Sequence, residues 1–114
     1  MRSITTYKKW DIVLLPFPYT DLSSSKRRPT VVISPESYNS GLDIMLLFLT
    51  SNLNTDRKEG DYELVQWQEA GLPKPSKTRM KIMTLDKDFV IKKIGEIQSL
   101  DKAALKQTLQ NFFS

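Results

Sequence analysis

The apolar positions of the chain come in short runs. Trp10 to Pro18, "WDIVLLPFP", is bounded by prolines and predicts a strand ending near Phe17. "PTVVIS" predicts a second strand, stopped by Pro35, and the polar connection Asp21 to Lys26 lies between the two. Leu42 to Thr50, "LDIMLLFLT", is almost continuously apolar and predicts a central buried strand, although a short buried helix shares that composition. A polar turn, "SNLNTDRKEGD", leads to a short strand at Tyr62 to Val65, and "AGLPKPS" is a loop. Arg79 to Thr84 alternates charged and apolar residues in its first four positions, as a half-exposed strand does. Phe89 to Ile97 is a further strand in which Gly95 marks a bulge or a close approach of backbones.

The period then changes. Leu105, Leu109 and Phe112 stand at i, i+4 and i+7, one apolar stripe of a helix beginning at Leu100 with Ser99 as its cap. Five or six short strands followed by one helix predict a mainly β (α+β) fold: a small, strongly bent β-barrel closed by the C-terminal helix. The 114 residues fit a single domain, 1–114, without repeat or linker.

Composition narrows the chemistry. The chain has no cysteine and no histidine, which excludes disulfides, thiol nucleophiles, Cys/His zinc sites and imidazole acid/base catalysis. Arg, Lys, Asp, Glu, Ser, Thr and Tyr remain, and neither a metal nor another cofactor is expected. No stretch reads as a secretory signal or a membrane span, so a cytoplasmic location is expected. The net charge of +4 favours anionic partners. The cations gather in Arg2 to Lys9, Lys26 to Arg28, Lys74 to Lys81 and Lys87 to Lys93, and any two groups brought together would make a phosphate-sized positive face.

The triplet Lys26, Arg27, Arg28 precedes Pro29 directly. Proline fixes its own φ and restricts the residue before it to extended conformations, so the backbone of Arg28 is better defined than a loop tip. A guanidinium held this way can bind phosphate through two parallel hydrogen bonds. A charged hairpin tip that resists aggregation is the competing account. In "FLTSN", the apolar strand ends in Thr50, Ser51 and Asn52, which suit a phosphate or ribose and equally suit a turn. Among the aromatics Trp10, Phe17, Tyr19 and Tyr38, most belong in a core, and Tyr19, after Pro18 in the polar connection, is the best candidate to stack on an unpaired base. Lys77, Arg79 and Lys81 alternate and should share one face of a strand, either solvated or bordering the Arg28 loop.

Taken in order, "WDIVLLPFP", "YTDLSSSKRRPTVVISPESYN", "LFLTSN", "GLPKPS", "IMTLD" and "KKIGEI" resemble the MazF/PemK-like toxins of type II toxin-antitoxin systems over nearly the whole chain. The resemblance implies an SH3-like barrel of five to seven strands, a homodimer, and metal-independent, sequence-specific cleavage of single-stranded RNA. It carries the family's key arginine to Arg28 and its key threonine to Thr50 as catalytic residues. It makes Tyr19 to Arg27, with Ser25 and Lys26, part of the segment that helps to form the RNA groove; Ser51, Asn52, Lys77 and Arg79 join them as candidate RNA contacts on the residue readings above. It also implies a cognate antitoxin with an acidic, partly disordered tail as partner. Many members have an arginine where this chain has Met83, and Arg79 is the candidate substitute.

The implied reaction is attack of the RNA 2′-hydroxyl on the adjacent phosphorus, leaving a 2′,3′-cyclic phosphate and a 5′-hydroxyl. Arginine stays protonated, so Arg28 would bind phosphate and stabilise developing charge, while Thr50 would hold a nonbridging oxygen. The base that takes the 2′-proton is left unassigned. Two other classes compete: a noncatalytic barrel that binds nucleic acid or an acidic partner, and a structural barrel whose basic loop serves solubility.

Overall fold

The computed structural model describes residues 6–16, 27–54 and 56–114. Phe17, Tyr19, Ser25 and Lys26 lie outside the described residues. The elements are β1 (Asp11–Pro16), β2 (Arg27–Val32), a short helix α1 (Glu36–Asn39), β3 (Asp43–Thr50), β4 (Tyr62–Glu63), β5 (Lys77–Asp86), β6 (Lys92–Glu96) and α2 (Ser99–Phe112). All strand pairs are antiparallel, in one curled six-stranded sheet of order β4-β5-β3-β2-β1-β6.

The continuous apolar run of β3 has the explanation its composition predicts, because both faces of the sheet are buried. Ile12, Val31, Leu47 and Leu49 pack with Trp10, Ile97 and Leu105 of α2 in one cluster. Val13, Leu15, Val32, Ile44 and Leu46 point the other way and pack with Tyr7, Leu85 and Val90. Successive side chains of a strand alternate between faces, so β1, β2 and β3 each feed both clusters.

Several boundaries differ from the sequence expectation. β2 begins at Arg27 rather than at the proline, because Arg27 and Arg28 pair with Pro16 and Leu15 of β1. Pairing of β2 with β3 runs from Val32 to Thr30. Pro29 is the next residue and has no N–H to add to the ladder. β4 stops at Glu63, because the N–H groups of Val65 and Gln66 go to the Asp101 carboxylate at 3.0 and 2.7 Å rather than to a strand. β5 is longer than its alternation suggests, and it carries a bulge: Leu47 pairs with Ile82 and Phe48 with Arg79, leaving Met80 and Lys81 as extra residues. Phe89 belongs to a 3-10 turn, Lys87–Phe89, capped by the Asp86 side chain, and β6 starts only at Lys92.

The helix starts one residue earlier than expected. Gln98 is its N-cap, with no side-chain hydrogen bond of its own, and Ser99 is already helical. The cap comes instead from elsewhere in the chain: Gln66 Oε1 accepts the Leu100 N–H at 3.2 Å.

Gly95 serves both expected purposes. The pairing of β1 with β6 shifts beside it, and a Cβ there would overlap the Ala70 carbonyl oxygen. Glu96 N–H donates to that same oxygen at 3.1 Å, so the loop after β4 reaches β6 and the two ends of the sheet approach each other. Gly71, with φ +95°, makes the turn that allows it.

Candidate functional site

Strand register brings the predicted residues together. Thr50 of β3 pairs with Lys77 of β5, which pairs with Glu63 of β4. The β2–β3 register, continued two residues beyond Thr30 and Phe48, sets Arg28 opposite Thr50. Directly opposed residues in an antiparallel sheet share a face, so Arg28, Thr50, Lys77 and Glu63 make one transverse row. One step along each strand on the same face stand Thr30, Phe48 and Arg79. The row lies where the apolar cluster of Val13, Leu15 and Leu46 gives way to polar residues.

Arg28 is half-buried and Arg27 exposed, as expected of neighbours that point to opposite faces. Thr50 is half-buried, and its hydroxyl oxygen accepts the Asn52 N–H at 3.1 Å. Asn52 in turn accepts from the Asn54 N–H at 3.2 Å. "TSN" therefore does make a turn, and the same turn fixes Thr50 at the strand end; a hydroxyl that accepts can still donate. Ser51 and Asn52 are exposed beside it.

Lys77 departs from a solvated outer face. Its side chain is 4% exposed and its ammonium sits 3.2 Å from Asp61 Oδ2, itself 3% exposed. Arg79 is on the same face, its Nε 4.0 Å from Asp61 Oδ1. The bulge at Met80 and Lys81 puts Lys81 out of this series, where it is exposed. Lys58 N–H also donates to Asp61 Oδ2, at 3.1 Å. Burial pushes the Asp61 carboxyl up, and the Lys58 N–H, the Lys77 ammonium and the Arg79 guanidinium outweigh it, holding the carboxyl below the ordinary range. A cavity of about 300 Å³ opens here, lined by Leu53, Arg57, Asp61, Tyr62, Glu63 and Lys77. Met83 pairs with Leu46, four residues and a bulge away from Arg79.

Sequence reasoning missed Asp61. It lies in "EGDYEL", and only the pairing of β4 with β5 carries it to Lys77, sixteen residues on. Of the aromatics, Trp10 is buried in the core and Tyr38 is exposed on α1. The row and the step beside it present the Arg28 and Arg79 guanidinium groups, the Thr50 hydroxyl, the Glu63 carboxylate and the buried Lys77–Asp61 ion pair; the two guanidinium groups and the hydroxyl are suited to holding a phosphodiester and stabilising negative charge on it.

Among the described residues no helix is long and apolar enough to cross a membrane. No curated protein gives a significant sequence match. A family model described as "PemK-like, MazF-like toxin of type II toxin-antitoxin system" matches residues 8–113. The fold is similar to that of several solved structures. The Mycobacterium tuberculosis toxin MazF-mt6 is 17% identical, with 90% of this chain and 95% of that chain covered and a TM-score of 0.71. MazE-MazF (form II) from Deinococcus radiodurans is 18% identical, with 96% and 97% covered and a TM-score of 0.73. An endoribonuclease in complex with its cognate antitoxin from Mycobacterial species is 15% identical, with 93% and 91% covered and a TM-score of 0.71.

Proposed function

The chain belongs to the PemK-like, MazF-like toxin family of type II toxin-antitoxin systems, and from that premise we propose that it is a metal-independent, sequence-specific endoribonuclease acting on single-stranded RNA. The observation that carries this reading is the transverse row, in which Arg28 and Thr50 share a face at the ends of β2 and β3. The whole chain, 1–114, acts as one barrel domain and pairs as a homodimer.

In the proposed reaction the RNA 2′-oxygen bonds to phosphorus while the bond to the 5′-oxygen breaks. The 2′-proton leaves to a base, the 5′-oxygen gains a proton, and the products end in a 2′,3′-cyclic phosphate and a 5′-hydroxyl. Arg28 binds the phosphate and stabilises the charge that grows on its nonbridging oxygens, a role that needs no change of protonation state. Thr50 donates its hydroxyl to one of those oxygens. Arg79 supplies a second guanidinium, and Arg27, Ser51, Asn52 and the segment carrying Tyr19, Ser25 and Lys26 hold the strand on either side. The same positive face suits the acidic, partly disordered tail of a cognate antitoxin, which would compete with RNA for it.

The deciding experiment incubates the purified protein with a mixed RNA in EDTA and maps new 5′ ends. Cuts at a fixed sequence, ending in 5′-hydroxyl, are expected. Arg28→Ala should lose on the order of 10²–10³ in rate, as removal of one transition-state donor does, while keeping its fold and oligomeric state. Wild-type-like cleavage by that variant would remove Arg28 from the mechanism. RNA binding without new ends would favour the noncatalytic barrel. An acidic, partly apolar peptide that leaves cleavage untouched would count against competition for the groove.

A further inference from the structure

The Asp61 carboxylate is loaded on one side only. Oδ2 receives both the Lys77 ammonium at 3.2 Å and the Lys58 N–H at 3.1 Å. Oδ1 is buried, makes no hydrogen bond among the described residues, and stands 4.0 Å from Arg79 Nε. A buried carboxylate oxygen without a donor is costly to keep. Closing the gap to an ordinary charge-assisted hydrogen bond needs a movement of roughly 1 Å. Lys77 is too buried to reach an RNA backbone, so its charge is spent on Asp61; Arg79, with a side chain 21% exposed, is the member of the set that faces outward.

We propose that Asp61 is a positioning residue: anchored by Lys77, it takes the Arg79 Nε–H on Oδ1 when a phosphate docks, and so aims the remaining guanidinium donors at the phosphate held by Arg28 and Thr50. The proposal rests on the endoribonuclease reading and adds residues to it. Asp61 is not the base that takes the 2′-proton, because accepting a proton would forfeit its pairing with two cations. Catalytic hydrogen bonds are often long in an unliganded site and tighten with the ligand, which accounts for 4.0 Å in the free protein. The order of the set is therefore a buried cation beneath a carboxylate beneath a guanidinium, each fixing the next.

Asp61→Asn keeps the shape and removes the charge. In steady-state cleavage of a mapped RNA its kcat should fall on the order of 10²-fold, the effect of misplacing a catalytic group by about 1 Å. Its KM should stay within about twofold, because Arg28 and Thr50 still hold the phosphate and a misaimed Arg79 is felt mainly as negative charge grows in the transition state. In an Arg79→Ala background, Asp61→Asn should cost nothing further, since it acts through Arg79. Asp61→Asn leaves the Lys77 ammonium buried and uncompensated, so the paired variant Asp61→Asn with Lys77→Met removes both charges and preserves the fold. Its kcat should remain low at a near-wild-type melting temperature. Full kcat in the paired variant, or multiplicative losses from Asp61→Asn and Arg79→Ala, would overturn the proposal and reduce the ion pair to a structural one. If the wild-type chain cleaves no RNA, the endoribonuclease reading fails by itself. Positioning is then read from the ¹⁵N signal of Arg79 Nε–H during titration with a 2′-O-methyl oligonucleotide. A shift present in wild type and lost in the paired variant supports it; the same response in both overturns it.

Discussion

Trp10 holds a φ of +81°, in the left-handed region that glycine occupies freely and a large side chain rarely adopts. The turn that requires it is visible: Asp11 N–H returns to the Lys8 carbonyl at 3.1 Å, Lys8 N–H donates to Asp11 Oδ2 at 2.9 Å, and Trp10 N–H reaches Val32 at 2.7 Å. Burial of the indole in the core offsets the strain, with the Lys9 ammonium 5.2 Å from its ring. Truncating the ring should therefore cost about 3–5 kcal/mol, as for other buried aromatics. The glycine variant should be more stable than the alanine variant by about 1 kcal/mol, the reverse of the usual order, because only alanine keeps the left-handed penalty. Urea unfolding of Trp10→Gly and Trp10→Ala tests this, and equal midpoints would mean that the backbone relaxes. Asp61 makes a different prediction. Its carboxyl is held below the ordinary range, so its contribution is complete above the unfolded carboxylate pKa and is lost as pH falls through the lowered folded value. The stability gap between wild type and Asp61→Asn should accordingly narrow below about pH 4. At this scale the placement of Arg28 and Thr50 near strand ends was legible, because each is marked by its own neighbours, Pro29 after one and an apolar run before the other. Asp61 was not, because its partners meet it only across a strand pair.

The beginning of α2 is secured by a joint between elements. Asp101 is buried and accepts from the Tyr62 hydroxyl at 2.6 Å, Val65 N–H at 3.0 Å and Gln66 N–H at 2.7 Å. Gln66 returns a bond to Leu100, so the segment after β4 and the first turn of α2 cap each other. Burial, and then the Asp101 hydrogen bond and charge, push the Tyr62 phenol well above its usual value. The folded state thus holds that proton more tightly than the unfolded chain, and the resulting stability is complete below about pH 10 and lost as pH rises beyond it. Tyr62→Phe should cost about 1.5–3 kcal/mol at neutral pH, the range for a hydrogen bond to a charged group. It should also flatten the alkaline limb of the stability curve; an unchanged limb would mean that another group governs it. Strand and helix periods were readable in the sequence because they are local. The cap was assigned to Ser99 for the same reason, and it failed because the group that satisfies Leu100 lies 34 residues earlier.

The curled sheet of the whole molecule is closed by very little. The ends β4 and β6 meet through the turn at Ala70 and Gly71, whose Ala70 carbonyl accepts the Glu96 N–H and whose backbone passes hard against that of Ile94 and Gly95. Gly95→Ala puts a methyl group where the Ala70 carbonyl already is, and it should destabilise by about 1–3 kcal/mol or more, read by thermal unfolding. A variant as stable as wild type would show that this junction is loose. Gly95 was singled out from sequence because glycine inside a strand has few explanations, whereas the identity of the segment it admits depends on chain closure and was not legible. The same junction governs how another chain can attach. An exposed sheet edge invites strand addition, and the two terminal strands of the sheet offer poor templates for it: β4 is two residues long, and the outward groups of β6 at Ile94 and Glu96 are covered. An extended partner segment that is to join β6 at these positions must first pull the Ala70 turn away, so binding there carries a cost in folding stability that docking across the Arg28 face does not.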